Sequence, residues 1–221
     1  MKRIYVICEG FTELDFVREL LAPDFYEQMI FLIPRLLGDV GHQGGRVTDI
    51  RILKDVHRLL VDKTAYCTTF FFFYGLHDDF VGMTNAKKLH SPEEKSKTIC
   101  SALKNAVTGD DVNRFIPYVQ MYEFEGLLFS HPEKFAKGIW QPKIADKLQA
   151  IRDDKRFQTP EYINDNYLTA PSKRIMSIFA GYEKRTHGII ASLEIGLPTM
   201  RRECPIFNQW LTDLEALPLL A

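Results

Sequence analysis

Ile4-Tyr5-Val6-Ile7-Cys8-Glu9-Gly10-Phe11-Thr12-Glu13 is the stretch whose reading decides the fold. It begins as a short apolar run rich in Ile and Val, which reads as a buried strand over residues 3–8. Gly10 permits a sharp turn, and Thr12 is placed to cap a helix. Leu14, Val17, Leu20 and Leu21 then recur at helical spacing. A strand, a turn and a helix in that order put Glu9 and Glu13 at the carboxyl edge of a sheet. Glu9 sits in the turn and Glu13 about one helical turn on, so both can face one point.

The same grammar repeats outward from this unit. Phe31-Leu32-Ile33 reads as a second strand. Gly38 to Gly45 holds four glycines and reads as a loop. Residues 47–62 read as a helix with Ile52, Val56, Leu59 and Leu60 on one face. Thr68 to Tyr74 is uncharged and aromatic, which predicts a central strand covered on both faces. A polar loop with Asp78, Asp79 and Gly82 follows. Ser91-Pro92-Glu93-Glu94 predicts a helix start: a capping serine, proline at the first helical position, and a glutamate three residues after the cap. Ile99, Leu103 and Val107 form the buried face of that helix. Phe115 to Met121 reads as a further strand, ending at Tyr122-Glu123-Phe124-Glu125.

Strand and helix in alternation predict an α/β fold, a parallel sheet flanked by helices. From about residue 132 onward the chain reads mainly as helices and loops, punctuated by Pro160, Pro171, Pro198 and Pro205. The expected organisation is an α/β core over 1–131 and a helical C-terminal extension over 132–221, packed on the core as one unit.

The 221 residues, 46% apolar and 26% charged, are enough for a sizeable core without disulfide or metal staples. A net charge of −1 supplies no overall basic field for nucleic acid, so any such contact requires a local patch. Cys8, Cys67, Cys100 and Cys204 form no CxxC pair, which excludes zinc-ribbon spacing. The start is too short in apolar residues for a signal peptide, and the Phe70–Tyr74 run is far below membrane-spanning length. A reducing cytoplasm, with no membrane partner, is the expected location.

Ligands of parallel sheets gather beyond the carboxyl ends of the strands. Three acidic clusters fall there: Glu9 with Glu13, Asp78 with Asp79, and Glu123 with Glu125. Hard divalent cations take several oxygen ligands, which carboxylates supply. Acids beside a phosphodiester also require a cation, because bare carboxylates repel phosphate. Each acid has a plainer reading too. A glutamate in a first helical turn is favoured by the helix dipole alone, and loop acids are usually solvated.

Cys8-Glu9-Gly10-Phe11-Thr12-Glu13 resembles the E-G-x-T-E signature of Toprim domains in OLD-type (overcoming lysogenization defect) nucleases. The wider chain resembles a bacterial family, domain of unknown function 4276, usually described as Toprim-like. The residues that carry this are Ile7 to Glu13, Thr68-Thr69, Tyr74-Gly75-Leu76, Glu123-Phe124-Glu125, Leu127-Leu128-Phe129-Ser130, Pro160-Glu161, Ile163-Asn164, Ala170 to Ile175, Cys204-Pro205, Phe207 and Trp210. The resemblance implies a Toprim-type sheet and Mg²⁺- or Mn²⁺-dependent phosphodiester chemistry. It gives Glu9 an acid–base or metal role and makes Glu13 a further ligand. Asp78, Asp79, Glu123 and Glu125 are the other candidate ligands. It also implies a partner ATPase of the AAA or ABC type, a role in defence against phage, and room for a homodimer. The chain departs from the pattern where Phe72 stands in place of an aspartate, and where Tyr122 and His131 replace a histidine and an aspartate.

Between Pro171 and Glu203, six cations (Lys173, Arg174, Lys184, Arg185, Arg201, Arg202) face three acids (Glu183, Glu194, Glu203). Such a strip suits a phosphate backbone, and it equally suits a solvated helix face. Lys173 is the candidate for stabilising charge on phosphate, with Arg174, Lys184 and Arg185 as substrate contacts. Gly41-His42-Gln43-Gly44-Gly45 lacks the G-K-[ST] ending of a phosphate loop, so ATP binding is not expected. No Gly-x-Ser-x-Gly setting supports a hydrolase triad. The resemblance implies a metal-dependent phosphodiesterase or nuclease. The alternative is a degenerate Toprim-like subunit that binds a partner protein or nucleic acid.

Overall fold

A computed structural model describes residues 1–38 and 47–220. Most of the expected glycine loop, residues 39–45, lies outside the described residues. The chain forms two compact units. The first comprises residues 1–119 and 210–221, the second residues 120–209.

The first unit is α/β. Strand β1 (Lys2–Cys8) pairs in parallel with β2 (Ile30–Leu36) on one side and β3 (Ala65–Phe72) on the other. Strand β4 (Phe115–Ile116) adds to β3 in parallel, giving the order β2-β1-β3-β4, and β5 (Val119–Gln120) also pairs with β3. Every residue of β3 is buried, as its uncharged sequence predicts. Phe70 anchors this core: its ring lies 5.5 Å from those of Phe16 and Trp210 and 6.0 Å from Tyr118. Each such fully buried side chain contributes about 1.5–3 kcal/mol relative to exposure.

The expected strand from Phe115 to Met121 is two short strands instead. Pro117 has no N–H to give a ladder, and it falls at the break. Two threonines repair the gap. Thr69 Oγ1 donates to Tyr118 O and accepts from Tyr118 N, both at 2.8 Å. Thr68 Oγ1 donates to Ile116 O at 2.5 Å and accepts from Trp210 Nε1 at 2.8 Å. This is why two hydroxyls sit inside an otherwise aromatic strand: buried backbone groups must find partners.

Helix α1 (Phe11–Phe16) runs on through a π-turn, Val17–Leu21, into α2 (Ala22–Glu27). Helix α3 (Asp49–Leu59) starts at Thr48, whose Oγ1 accepts from Arg51 N. After the short α4 (Met83–Ala86), helix α5 (Pro92–Asn105) begins as its sequence predicts, with Ser91 Oγ accepting from Glu94 N at 3.3 Å. Ile99, Leu103 and Val107 are buried.

The second unit is mainly helical. A 3₁₀ stretch, Phe124–Ser130, is buried throughout. It leads to α6 (Pro132–Gly138), α7 (Ala145–Arg152), α8 (Pro171–Ile178), α9 (Lys184–Ile195), α10 (Leu197–Glu203) and α11 (Pro205–Glu215), the last of which continues into the first unit. Buried Glu161 accepts the amides of Ile206 and Phe207 at 3.0 and 2.9 Å, satisfying orphan donors at the start of α11. No helix among the described residues is long and apolar enough to cross a membrane.

Candidate functional site

Glu9 leaves the end of β1, next to the end of β3 in the parallel register. Beyond β3 the chain turns through Phe73–Gly75. Glu9 folds its carboxyl group over Gly75 and its Oε2 is shielded from solvent. Glu13 is buried, and its Oε2 accepts the Gly10 N–H at 2.7 Å. The helix is therefore capped from Gly10 with Glu13 reaching back, not by Thr12. Gly10 is extended and has no side chain to accept a first-turn amide; Glu13, three residues on, takes the Gly10 N–H instead.

The remaining candidates of the first unit have other surroundings. Phe72 is 5% exposed, with its ring 5.7 Å from that of Phe70. Asp78 and Asp79 are exposed on the following loop. Asp78 meets Lys87 Nζ at 2.5 Å, and this bond, with the charge behind it, holds Asp78 below the usual carboxylate range. Asp79 meets His77 Nδ1 at 2.6 Å. Lys95, unremarked in the sequence, stands over the Phe73 ring, 5.9 Å from its centroid, and burial pulls its ammonium pKa down. Helical spacing could have marked it: Lys95 lies four residues before Ile99, on the face of Ile99 and Leu103, whereas Lys97 lies off that face and is exposed.

In the second unit the structure gathers Glu123, Glu125, Ser172, Met176, Tyr182 and Lys184 around a cavity of about 190 Å³. Glu123 Oε2 accepts the Ser172 N–H at 2.8 Å, in the first turn of α8. Glu125 is 1% exposed. Its Oε1 lies 3.5 Å from the Tyr182 hydroxyl and its Oε2 lies 4.0 Å from Lys184 Nζ. Burial raises the Tyr182 phenol well above its ordinary value, and the charge of Glu125, its hydrogen bond and Glu123 add to this. Tyr182 was missed in the sequence because no motif or spacing marks it. Gly188 belongs to the same construction: a methyl group there would stand 2.8 Å from the Phe124 ring and 3.0 Å from the Tyr182 hydroxyl.

The basic strip divides by partner. Arg174 donates to Thr169 O and Asp165 Oδ2, each at 2.7 Å, and covers the Phe157 ring at 5.0 Å. Arg201 bonds Asn208 and Arg202 bonds Glu203. Lys173 and Arg185 are exposed. Among the described residues, no group of three or more His, Cys, Asp or Glu side chains is arranged to hold a metal ion.

Fold and site define an α/β protein with a carboxylate at the carboxyl edge of a parallel sheet and a second carboxylate pocket in its helical unit. The chain belongs to the family described as Domain of unknown function (DUF4276), which it matches over residues 8–215. No curated protein and no solved structure matches it.

Proposed function

We propose that the chain is a Toprim-like, Mg²⁺- or Mn²⁺-dependent phosphodiesterase or nuclease that reacts at the Glu9 edge. The observation that carries this reading is the placement of the Glu9 carboxyl group beyond the ends of β1 and β3, over a residue with no side chain. That is the edge where parallel sheets bind ligands. The similarity of residues 8–13 to the Toprim signature of OLD-type nucleases supports the same edge.

The donor set fits a particular kind of cation. A caged Ca²⁺ or a closed zinc site requires more protein ligands than this edge offers. Mg²⁺ keeps several waters and takes one or two carboxylates, with phosphate oxygens completing its shell. Glu9 and Glu13 would hold such an ion, which would polarise the phosphodiester when bound. Glu13 Oε2 also serves Gly10. Lys95, a half-buried cation at the end of β3, is suited to meet a phosphate oxygen. A nucleic-acid substrate, an AAA- or ABC-type ATPase partner and a role in phage defence rest on the family resemblance.

The test is hydrolysis of single- and double-stranded DNA, RNA and a generic phosphodiester, with Mn²⁺ or Mg²⁺ and with chelator. Activity should depend on the ion and vanish in Glu9→Ala; equal rates in both proteins would sink the proposed site. Phe72 favours a second reading, a degenerate subunit that binds a partner. On that reading, calorimetric titration shows no Mn²⁺ uptake even at about millimolar ion, a range where weak carboxylate sites still bind.

A further inference from the structure

Glycine occupies a position for one of two physical reasons: a backbone that other residues resist, or space that a side chain would fill. The glycines with positive φ among the described residues are Gly38, Gly82, Gly109 and Gly196. Gly75 is not one of them, so its backbone accepts alanine. Its reason is space. A methyl group at Gly75 would press on Glu9 Oε2 and stand 2.7 Å from Oε1 and 2.8 Å from Cδ. All three atoms belong to one carboxyl group. Gly10 shows a milder form of the same relation, with a methyl group there 3.1 Å from Glu13 Oε2.

We propose that Gly75 is a positioning residue for Glu9: the missing Cβ is the seat that fixes the carboxyl group at the carboxyl edge of the sheet. This deepens the phosphodiesterase reading and rests on it for the chemistry that Glu9 performs. The obstructed atoms are the end of a flexible side chain. An alanine at this position therefore displaces the carboxyl group instead of distorting the turn. Displacing a group that orients or holds a metal typically costs about 10- to 100-fold in metal affinity.

The experiment is a double-mutant cycle with two readouts, thermal unfolding and calorimetric Mn²⁺ titration. The proteins are the wild type, Gly75→Ala, Glu9→Ala and the double variant. Alone, Gly75→Ala should lower the thermal midpoint. In the Glu9→Ala background it should leave the midpoint unchanged or raise it, because the clash is gone and alanine restricts the unfolded chain. The same shift in both backgrounds overturns the positioning role, whatever the ion does. Mn²⁺ affinity should fall about 10- to 100-fold in Gly75→Ala, and adding Glu9→Asp, one methylene shorter, should recover part of it. Unchanged affinity in Gly75→Ala with lost affinity in Glu9→Ala also overturns the positioning role and leaves the phosphodiesterase reading standing. Unchanged affinity in Glu9→Ala overturns the metal reading of Glu9, while the midpoint cycle still decides the fate of Gly75.

Discussion

The Glu9 edge of the first unit and the Glu123–Glu125 pocket of the second hold carboxylates in opposite ways. At the edge, Glu9 is seated by emptiness: it occupies the space of the Gly75 side chain. In the pocket, the carboxylates are surrounded by groups that suit them. Glu123 takes the Ser172 amide, and Glu125 has the Tyr182 hydroxyl and Lys184 ammonium nearby. A pocket that supplies its own cation lowers its attraction for an external one, because part of its negative charge is already offset. On the proposed reading the chemistry belongs to the edge, where parallel sheets bind ligands, and the pocket is structural.

The strongest way to break the contrast is to remove one carboxylate from each side. Glu9→Ala should cost on the order of 10²–10³-fold in ion-dependent hydrolysis, the scale of losing a group that manages transition-state charge. Glu123→Ala should leave the rate near wild type and lower the thermal midpoint, since Ser172 N loses its acceptor. Steady-state rates and thermal melts on both proteins check this. The reverse pattern moves the reacting site to the pocket.

Glycine substitutions sharpen the same contrast. Gly188→Ala confronts a buried ring, not a side-chain end: Phe124 is fully buried and Tyr182 is 8% exposed. Overpacking of this kind costs about 1–3 kcal/mol, which chemical denaturation measures directly. Gly75→Ala should cost less, because only the end of Glu9 moves. Equal losses at the two glycines would show that the seat at Gly75 is as rigid as a core.

How much of this was legible in the sequence follows from what each residue answers to. Strands β1 and β3 and the start of α5 are set by local rules, apolar runs and a Ser-Pro-Glu-Glu cap, so they read directly. The Phe115–Met121 run misled because apolar content outweighs one proline in a reading by composition, whereas a ladder needs every N–H. Glu13 was legible as a first-turn glutamate but not as the acceptor for Gly10, which depends on how the turn closes. Gly75 and Tyr182 were not legible as site residues at all. One acts by lacking atoms next to a residue far away in sequence, and the other joins a pocket assembled from residues 123 to 184. A count of cations could not tell that Arg174 is already committed to Asp165 and Thr169.

A smaller effect is expected at Lys184. Its ammonium stands 4.0 Å from Glu125 and the side chain is 37% exposed, so solvent screens the pair. Lys184→Met should lower stability by no more than about 1 kcal/mol, and by less as salt is raised. It should leave hydrolysis intact if the pocket is structural. A large loss of rate with an unchanged melt would instead make Lys184 a phosphate contact and weaken the division between edge and pocket.

The smallest effect belongs to Tyr182, and it is visible only at high pH. Burial first, then Glu125 and Glu123, hold the phenol protonated in the folded chain to a pH well above its ordinary value. In the unfolded chain the same phenol ionises near pH 10. Below that pH both states keep the proton and Tyr182 adds no slope. Above it the unfolded state sheds the proton and the folded state retains it, so stability falls as pH rises toward the folded value. Tyr182→Phe removes that slope. Its hydroxyl meets Glu125 only at 3.5 Å, so the substitution should change stability at neutral pH by about 0.5 kcal/mol or less, at the low end for a hydrogen bond. Denaturation midpoints of the two proteins should therefore run nearly parallel to pH 9 and diverge above about pH 10, with the variant falling less steeply. Parallel curves throughout would mean that the phenol is open to solvent. The pocket would then be open to outside ions, and its standing as a closed structural site would fail.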